Sequence, residues 1–206
     1  MNALRVAFVS VLLVFGPSVG ARHARAARAP LSSTVWPLTS TSVGVEFLTA
    51  AHPGGMKIHG TLVKPVGSNQ GVQGEIELRE GVLVGHATCE LAHLDTGIGL
   101  RNRHMRDKFL EVEKYPLAGL EFTAHEKTKG QFRRDASWST PFTGALVLHG
   151  VKHPVSGIVT AQNNLKKLEF QFQVPLDWFR IAEPSFMGVH VEKDIKVSVT
   201  VKRASS

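Results

Sequence analysis

Cysteine is nearly absent from this sequence, which contains only Cys89. A single cysteine cannot form an intrachain disulfide, and Cys89 lies too far from the N-terminus to be a lipid-modified N-terminal cysteine. In strand-like surroundings such a residue is more often a small buried hydrophobe than a reactive thiol. The sequence therefore excludes a disulfide scaffold, and a pairing of Cys89 with a distant histidine is the one thiol nucleophile left open.

Acidic residues are missing from the first 29 residues, which contain four arginines. The formal net charge is +7, but without those arginines 20 basic residues stand against 17 acidic ones, a net charge of +3. The remaining cations are scattered among carboxylates, whereas a nucleic-acid groove needs clustered cations and stacking aromatic side chains. The sequence therefore argues against a nucleic-acid-binding protein.

One longer apolar run, Val6–Phe15, follows Arg5 near the N-terminus. At ten residues it is shorter than the roughly 20 residues of a comfortable membrane span. The helix breakers Gly16 and Pro17 and several small residues come next. This pattern predicts a secretory signal peptide over residues 1–29, cleaved between 20 and 29, and a periplasmic or secreted protein without stable membrane insertion. An uncleaved anchor helix is the alternative.

Motifs that carry chemistry are also missing. The sequence has no Gly-x-Ser-x-Gly nucleophile elbow and no phosphate-binding glycine loop. His149 and His153 are four apart, but Gly150 and Pro154 mark a tight reversal there, so the spacing of a helical metal pair does not apply. We expect no metal site, no cofactor and no enzyme activity.

Alternation of apolar and polar residues dominates the rest of the chain. In the last such segment Ile195, Val197, Val199 and Val201 alternate with polar residues, and the same pattern recurs from Val43 onward. Period-two alternation with short turns predicts half-buried antiparallel strands. We count about eight, which must close or be covered to bury their apolar faces. The prediction is a mainly all-β, single-domain barrel over residues 30–206.

One stretch, Asn102–Val112, lacks alternation and is rich in helix formers. Met105, Phe109 and Val112 share a helical face at this spacing. We predict a single short helix after the third or fourth strand, with Asn102 as its N-cap. Residues 127–139 are polar and mixed, and we predict a loop there.

Three segments in order resemble the YceI family of periplasmic, lipocalin-like proteins. They are Asp95-Thr96-Gly97 with Arg101-Asn102-Arg103-His104-Met105, Lys108–Val112 running to Lys114-Tyr115-Pro116, and Thr143–Val151 ending at His153-Pro154-Val155. The resemblance covers about residues 35–203. It implies an antiparallel lipocalin-like barrel with an apolar tunnel that holds a polyisoprenoid, an isoprenoid quinone or a similar lipid. Many family members have Arg-Asp where this chain has Arg101-Asn102. If that acid supports a loop by its charge, the loop in this chain must rely on an amide.

The resemblance favours a hollow interior over a filled core. The candidate ligand-binding residues are apolar side chains of the inward faces, with Arg101 and His104 as polar groups that either hold a head group or order the loop from Thr96. The apolar candidates are Phe47, Ile58, Leu62, Leu91, Met105, Phe109, Leu146, Phe170, Phe172 and Phe186. The expected partner is an apolar lipid, and a homodimer is left open. The alternatives are an enzyme of unknown reaction on the same barrel and an outer-membrane barrel.

Overall fold

The computed structural model describes residues 33–63 and 71–203. The predicted signal peptide over residues 1–29 lies outside the described residues, as do the last three residues of the predicted domain. Within the described ranges, no helix combines the length and the apolar character that crossing a lipid bilayer requires.

Thirteen strands form in the described part of the chain. They are β1 (Thr34–Thr39), β2 (Val43–His52), β3 (Met56–Leu62), β4 (Val72–Arg79), β5 (Val82–Glu90), β6 (Leu94–Asp95), β7 (Leu117–His125), β8 (Trp138–Leu148), β9 (Val151–Gln162), β10 (Lys167–Pro175), β11 (Ser185–Phe186), β12 (Val189–Val191) and β13 (Asp194–Lys202). Short 3-10 turns follow β5 at Leu91–His93 and β10 at Leu176–Phe179.

These strands belong to one antiparallel sheet in the order β1-β4-β5-β7-β8-β9-β10-β13-β2, with β3 and β12 both pairing with β2. The sheet curls so that one face encloses the interior, which confirms the predicted all-β, lipocalin-like barrel. The strand number exceeds the predicted eight because strands such as β6, β11 and β12 span only two or three residues. Alternation cannot be recognised over so short a run.

The alternation in sequence decides which side chains enter the barrel. On β10, Leu168, Phe170 and Phe172 are buried, and each pairs across the ladder with an inward valine of β13. The residues between them, Glu169 and Gln171, hydrogen-bond each other at the outer surface. Successive strand residues point to opposite faces, so this pattern places the apolar set inside.

Glycine allows the sheet to bend where neighbouring strands approach each other closely. A Cβ atom on Gly144 of β8 would lie 2.0 Å from the carbonyl oxygen of Glu121 on β7. Glycine kinks of this kind concentrate the curvature that a barrel needs. The β8–β9 hairpin turns through His149 and Gly150, whose φ angles of 51° and 72° suit a tight two-residue turn. The predicted reversal is shorter than expected, because β9 already begins at Val151 and contains Pro154.

The helical segment lies close to its predicted position but has different ends. Helix α1 spans Gly99–His104 and continues as a π-helix over Met105–Phe109, after β6 rather than after the third or fourth strand. The prediction that Asn102 is the N-cap was wrong, because the helix begins three residues earlier. The Asn102 amide instead bonds residues of the preceding loop.

The predicted loop over residues 127–139 was also only partly right. It contains a one-turn helix, α2 (Gln131–Arg134), and its end belongs to β8. Phe132 of α2 is fully buried and stacks on Trp138, with 4.0 Å between the ring centroids. A single apolar residue in a polar stretch carries no periodic signal, so only its tertiary contact shows that this turn covers one end of the core.

Candidate functional site

One half of the barrel interior is hollow. A cavity of about 530 Å³ lies inside the sheet, and its wall is almost entirely apolar. The wall is built from the inward residues of several strands together with α1, the π-helix and the segment before β12. Its members include Val43, Val45, Phe47, Thr49, Ile58, Val72, Ala87, Cys89, Leu91, Ala118, Leu120, Leu146, Leu148, Phe172, Val174, Ile195, Val197 and Val199.

The other half of the interior is filled on the side of the sheet that β7, β8 and β10 form. On β10, Phe172 borders the cavity whereas Phe170 is packed in the core. On β7 the same change falls between Leu120 and Phe122. The rings of Phe122, Phe142 and Phe170 contact one another with centroid distances of 4.6 to 6.2 Å. We call these three rings the aromatic cluster.

The structure brings nine of the twelve candidate residues to the cavity wall. They are Phe47, Ile58, Leu91, Arg101, His104, Met105, Phe109, Leu146 and Phe172. Phe170 is not on the wall, because its ring packs against the two other rings of the aromatic cluster. Leu62 is also not on the wall and packs against the core near the end of β3. The side chain of Phe186 lies outside the described part of the structure.

Several wall residues were not among the candidates. Ile195, Val197 and Val199 share one face of β13, so the alternation already showed that they point inward. Ala87 and Ala118 carried no such signal, because small side chains are neutral in a hydrophobic pattern. These small residues matter for the cavity, since larger side chains at the same positions would occupy the space.

A hydrogen-bond network orders the mouth of the cavity. The Arg101 guanidinium donates to the hydroxyl of Thr96 at 2.8 Å and to its carbonyl oxygen at 2.5 Å. The Asn102 Oδ1 atom accepts from the Thr96 backbone N–H at 2.8 Å and from its hydroxyl at 2.6 Å. Arg101 therefore orders the loop from Thr96 while it also lines the cavity. The side-chain amide of Asn102 therefore supports the loop from Thr96 as well.

Asp95 anchors the same network. Its Oδ1 atom accepts hydrogen bonds from the Gly97 backbone N–H at 2.8 Å and from the Asn102 side-chain amide at 2.5 Å. These two hydrogen bonds stabilise the ionised carboxylate and lower the pKa of Asp95 below its ordinary value. The carboxylate is thus a fixed acceptor at neutral pH.

Cys89 lies on the wall of the cavity, on β5. Burial disfavours the thiolate and raises the pKa of this thiol from an ordinary value of 9.0 to about 11. The thiol is therefore protonated at neutral pH and behaves as a small apolar side chain. Cys89 is half-buried at the cavity wall rather than fully buried, and its raised pKa agrees with the prediction that it is not a reactive thiol.

The histidines are dispersed over the structure. His149 contacts the Glu111 carboxylate at 2.6 Å, whereas the ring of His153 stacks on Trp178 with 4.2 Å between centroids. Across residues 33–63 and 71–203, no three His, Cys, Asp or Glu side chains are grouped so that they could hold a metal ion.

Two solved structures share the fold of this chain. The chain is similar over 85% of its length to a polyisoprenoid binding domain from Saccharophagus degradans implicated in plant cell wall breakdown, covering 100% of that chain with a TM-score of 0.59 and 13% sequence identity. It is similar over 78% of its length to BcnA from Burkholderia cenocepacia, covering 96% of that chain with a TM-score of 0.53 and 15% identity. At these identities the likeness concerns the fold. No curated protein matches the chain.

The sequence also matches the model of a family described as YceI-like domain, over residues 36–203. This range begins at Trp36 in β1 and ends just after β13, so it contains every strand that forms the cavity wall. Because the match spans most of the chain, the protein belongs to the family of proteins with a YceI-like domain.

Proposed function

We propose that this protein is an exported binding protein that holds an apolar amphiphile in the hollow half of the barrel and performs no chemistry on it. The ligand class is a polyisoprenoid, an isoprenoid quinone or a similar lipid. The observation that carries the proposal is the cavity itself, about 530 Å³ with an almost wholly apolar wall. Its size falls in the range of roughly 300–1,000 Å³ that is typical of sites for small molecules.

Burial of the tail supplies most of the affinity. Each methylene moved from water to an apolar site contributes about 0.8 kcal/mol, so a tail of ten carbons contributes several kcal/mol after the cost of association. The head group lies at the mouth, near Arg101 and His104, which are the two basic side chains of the wall. The similarity to a polyisoprenoid binding domain supports this ligand class.

The hydrogen bonds at the mouth support binding rather than catalysis. Arg101, the permanent charge on the wall, is held by two bonds to Thr96, and the Thr49 hydroxyl donates to the Glu192 carbonyl oxygen. These side chains stabilise the protein backbone. Replacement of His104 by alanine tests this distinction: a binding protein loses affinity or order at the mouth, whereas an enzyme loses turnover of an identified substrate.

Export is supported by the sequence pattern of residues 1–29. Expression of the full chain in a Gram-negative host followed by osmotic shock should release a processed, water-soluble protein whose first residue lies between 21 and 30. Retention in the membrane fraction would contradict this and would favour an outer-membrane barrel. Charged residues on the outward faces of the sheet, such as the ion pair Glu121–Lys152, support the soluble form.

The ligand is tested by native mass spectrometry and organic extraction of the purified protein. We expect a co-purified lipid, or uptake of prenols or quinones on titration. Leu120→Arg places a charge on the apolar wall and should abolish uptake. Leu117→Arg is the matched control, because Leu117 lies on the same strand but is 49% exposed. Circular dichroism shows whether both variants fold, and equal uptake by both folded variants would refute the cavity as the binding site.

A further inference from the structure

Four apolar residues of the cavity wall are also exposed to solvent. Met56, Ile98, Leu100 and Val189 line the cavity, yet 37% to 56% of the surface of each residue is accessible. Wall residues that water reaches lie where the cavity opens, so these four mark the edge of its mouth. Met187, two residues before Val189, is 87% exposed. We call these five residues the mouth rim.

The sheet topology brings the three segments of the mouth rim to one end of the barrel. The β11–β12 hairpin lies beside the β2–β3 hairpin, because His190 of β12 pairs with His52 of β2. Strand β6 runs antiparallel to β3, so the chain leaves Asp95 toward the Met56 end of β3 and then enters α1. Large apolar side chains that are exposed together in this way mark an interaction surface.

The same three segments carry basic residues and no acidic ones. Residues 52–57, 96–104 and 184–191 contain one lysine, two arginines and three histidines, with neither aspartate nor glutamate. Two of the cations, Lys57 and Arg103, are exposed. The mouth rim therefore lies among positive charges.

The carboxylates that border these segments have partners within the protein. Glu192 lies 2.8 Å from the His52 ring, and Glu183 lies 3.5 Å from the His190 ring. The Asp95 carboxylate accepts two hydrogen bonds from the loop that follows it. These acids are therefore compensated in part by neighbouring groups.

The combination of apolar and basic side chains favours a phospholipid bilayer as the partner of this surface. Basic residues beside apolar side chains that enter the interface are the pattern by which peripheral proteins bind anionic membranes. The mouth rim also surrounds an opening, and a flat protein surface placed on it would leave the cavity beneath unfilled. A bilayer instead brings hydrocarbon directly to the apolar mouth.

We propose that the mouth rim docks reversibly on an anionic phospholipid membrane. The apolar side chains of the rim enter the interface, and Lys57 and Arg103 attract the anionic head groups. A lipid tail then passes between the bilayer and the cavity without exposure to water. This last step rests on the proposed function, whereas docking itself requires no bound lipid.

Cosedimentation with sucrose-loaded vesicles measures docking of the mature protein. The vesicles consist of phosphatidylcholine alone or of phosphatidylcholine and phosphatidylglycerol mixed three to one. We expect binding to the mixed vesicles in low salt, and at least about fivefold weaker binding to phosphatidylcholine alone. Salt at about 0.15 M should also weaken binding to the mixed vesicles, because it screens the surface charge beyond about 8 Å.

Two variants with matched controls test the apolar and the basic contribution separately. Ile98→Ser should weaken binding at least about fivefold, and Ile158→Ser is its control, because Ile158 is 45% exposed on the outer face of β9. Lys57→Gln should weaken binding about fivefold. Its control is Lys166→Gln, since Lys166 is exposed in the β9–β10 turn at the opposite end of the barrel. Circular dichroism shows that each variant is folded.

Several results would overturn docking. They are absence of binding to the mixed vesicles in low salt, and equal losses in a variant and its control. Analytical ultracentrifugation without vesicles adds a third: a dimer that Ile98→Ser abolishes and Ile158→Ser preserves, because a second copy would then cover the rim.

Native mass spectrometry with prenols on the same proteins keeps this proposal apart from the proposed function. Vesicle binding without uptake of any prenol or quinone would refute the proposed ligand and support docking. Prenol uptake without vesicle binding would overturn docking and leave the proposed function in place.

Discussion

Cys89 gives direct access to the cavity, because it is the only cysteine in the chain and lies on the wall. The perturbation is alkylation of the native protein with iodoacetamide, a reagent that reacts with the thiolate. Burial in the apolar wall raises the pKa of this thiol from 9.0 to about 11. Two pH units correspond to about a hundredfold smaller thiolate fraction at any pH well below 9.

The expected rate follows from that fraction. At about pH 8, native protein should react at least about a hundredfold more slowly than protein unfolded in guanidinium chloride. Because the protonated form persists to higher pH, the native rate should keep rising about tenfold per pH unit to near pH 10, whereas the unfolded rate levels off near 9. Saturation with a bound prenol should slow the native reaction further, since the tail covers the sulfur.

Intact-mass spectrometry of timed, quenched samples measures these rates, and circular dichroism at each pH confirms that the protein stays folded. A native rate within tenfold of the unfolded rate at pH 8 would refute the apolar environment assigned to Cys89. A rate that a bound prenol leaves unchanged would refute the position of the tail along β5.

Three further predictions concern stability. Phe170→Ala should lower the free energy of unfolding by about 3–5 kcal/mol. Phe172→Ala should lower it by at least about 1 kcal/mol less, because one side of the Phe172 ring already borders the cavity. Equal losses in urea denaturation would contradict a half-hollow interior. Asn102→Ala leaves the buried backbone N–H of Thr96 without its acceptor and should cost about 1–3 kcal/mol, while Arg103→Ala, at an exposed position of the same helix, should stay within about 0.5 kcal/mol. Asp95→Asn should lower the melting temperature at neutral pH. The pKa of Asp95 is lower in the folded protein than in the unfolded chain. The stability that the carboxylate contributes is therefore complete above the ordinary aspartate pKa of about 3.9 and is lost as the pH falls through the folded pKa. The difference in melting temperature between the two proteins should accordingly disappear in acid. A gap that is constant from neutral pH to acid would refute the role of the carboxylate.

The family motifs predicted more than alternation did at the mouth. Arg101 was expected either to hold a head group or to order the loop from Thr96, and the structure shows the ordering contact directly. The N-cap assignment of Asn102 failed because a polar residue before a helical run looks like a cap in sequence. Its partners, Thr96 and Asp95, are six and seven residues away, and no local rule connects residues at that spacing.

By itself the sequence determined the strands and the direction of their side chains, because the two-residue period of a strand is a local property. It also predicted an export segment at residues 1–29, from charge and hydropathy alone. The hollow half of the barrel was decided only by the tertiary structure. Phe170 and Phe172 are the same residue type, two positions apart on one face of β10, yet Phe170 packs within the aromatic cluster and Phe172 borders the cavity. The difference depends on the side chains that other strands place around each ring. Aromatic rings surround Phe170, whereas small residues such as Ala87 and Ala118 lie on the cavity wall with Phe172. These neighbours come together only when the sheet curls.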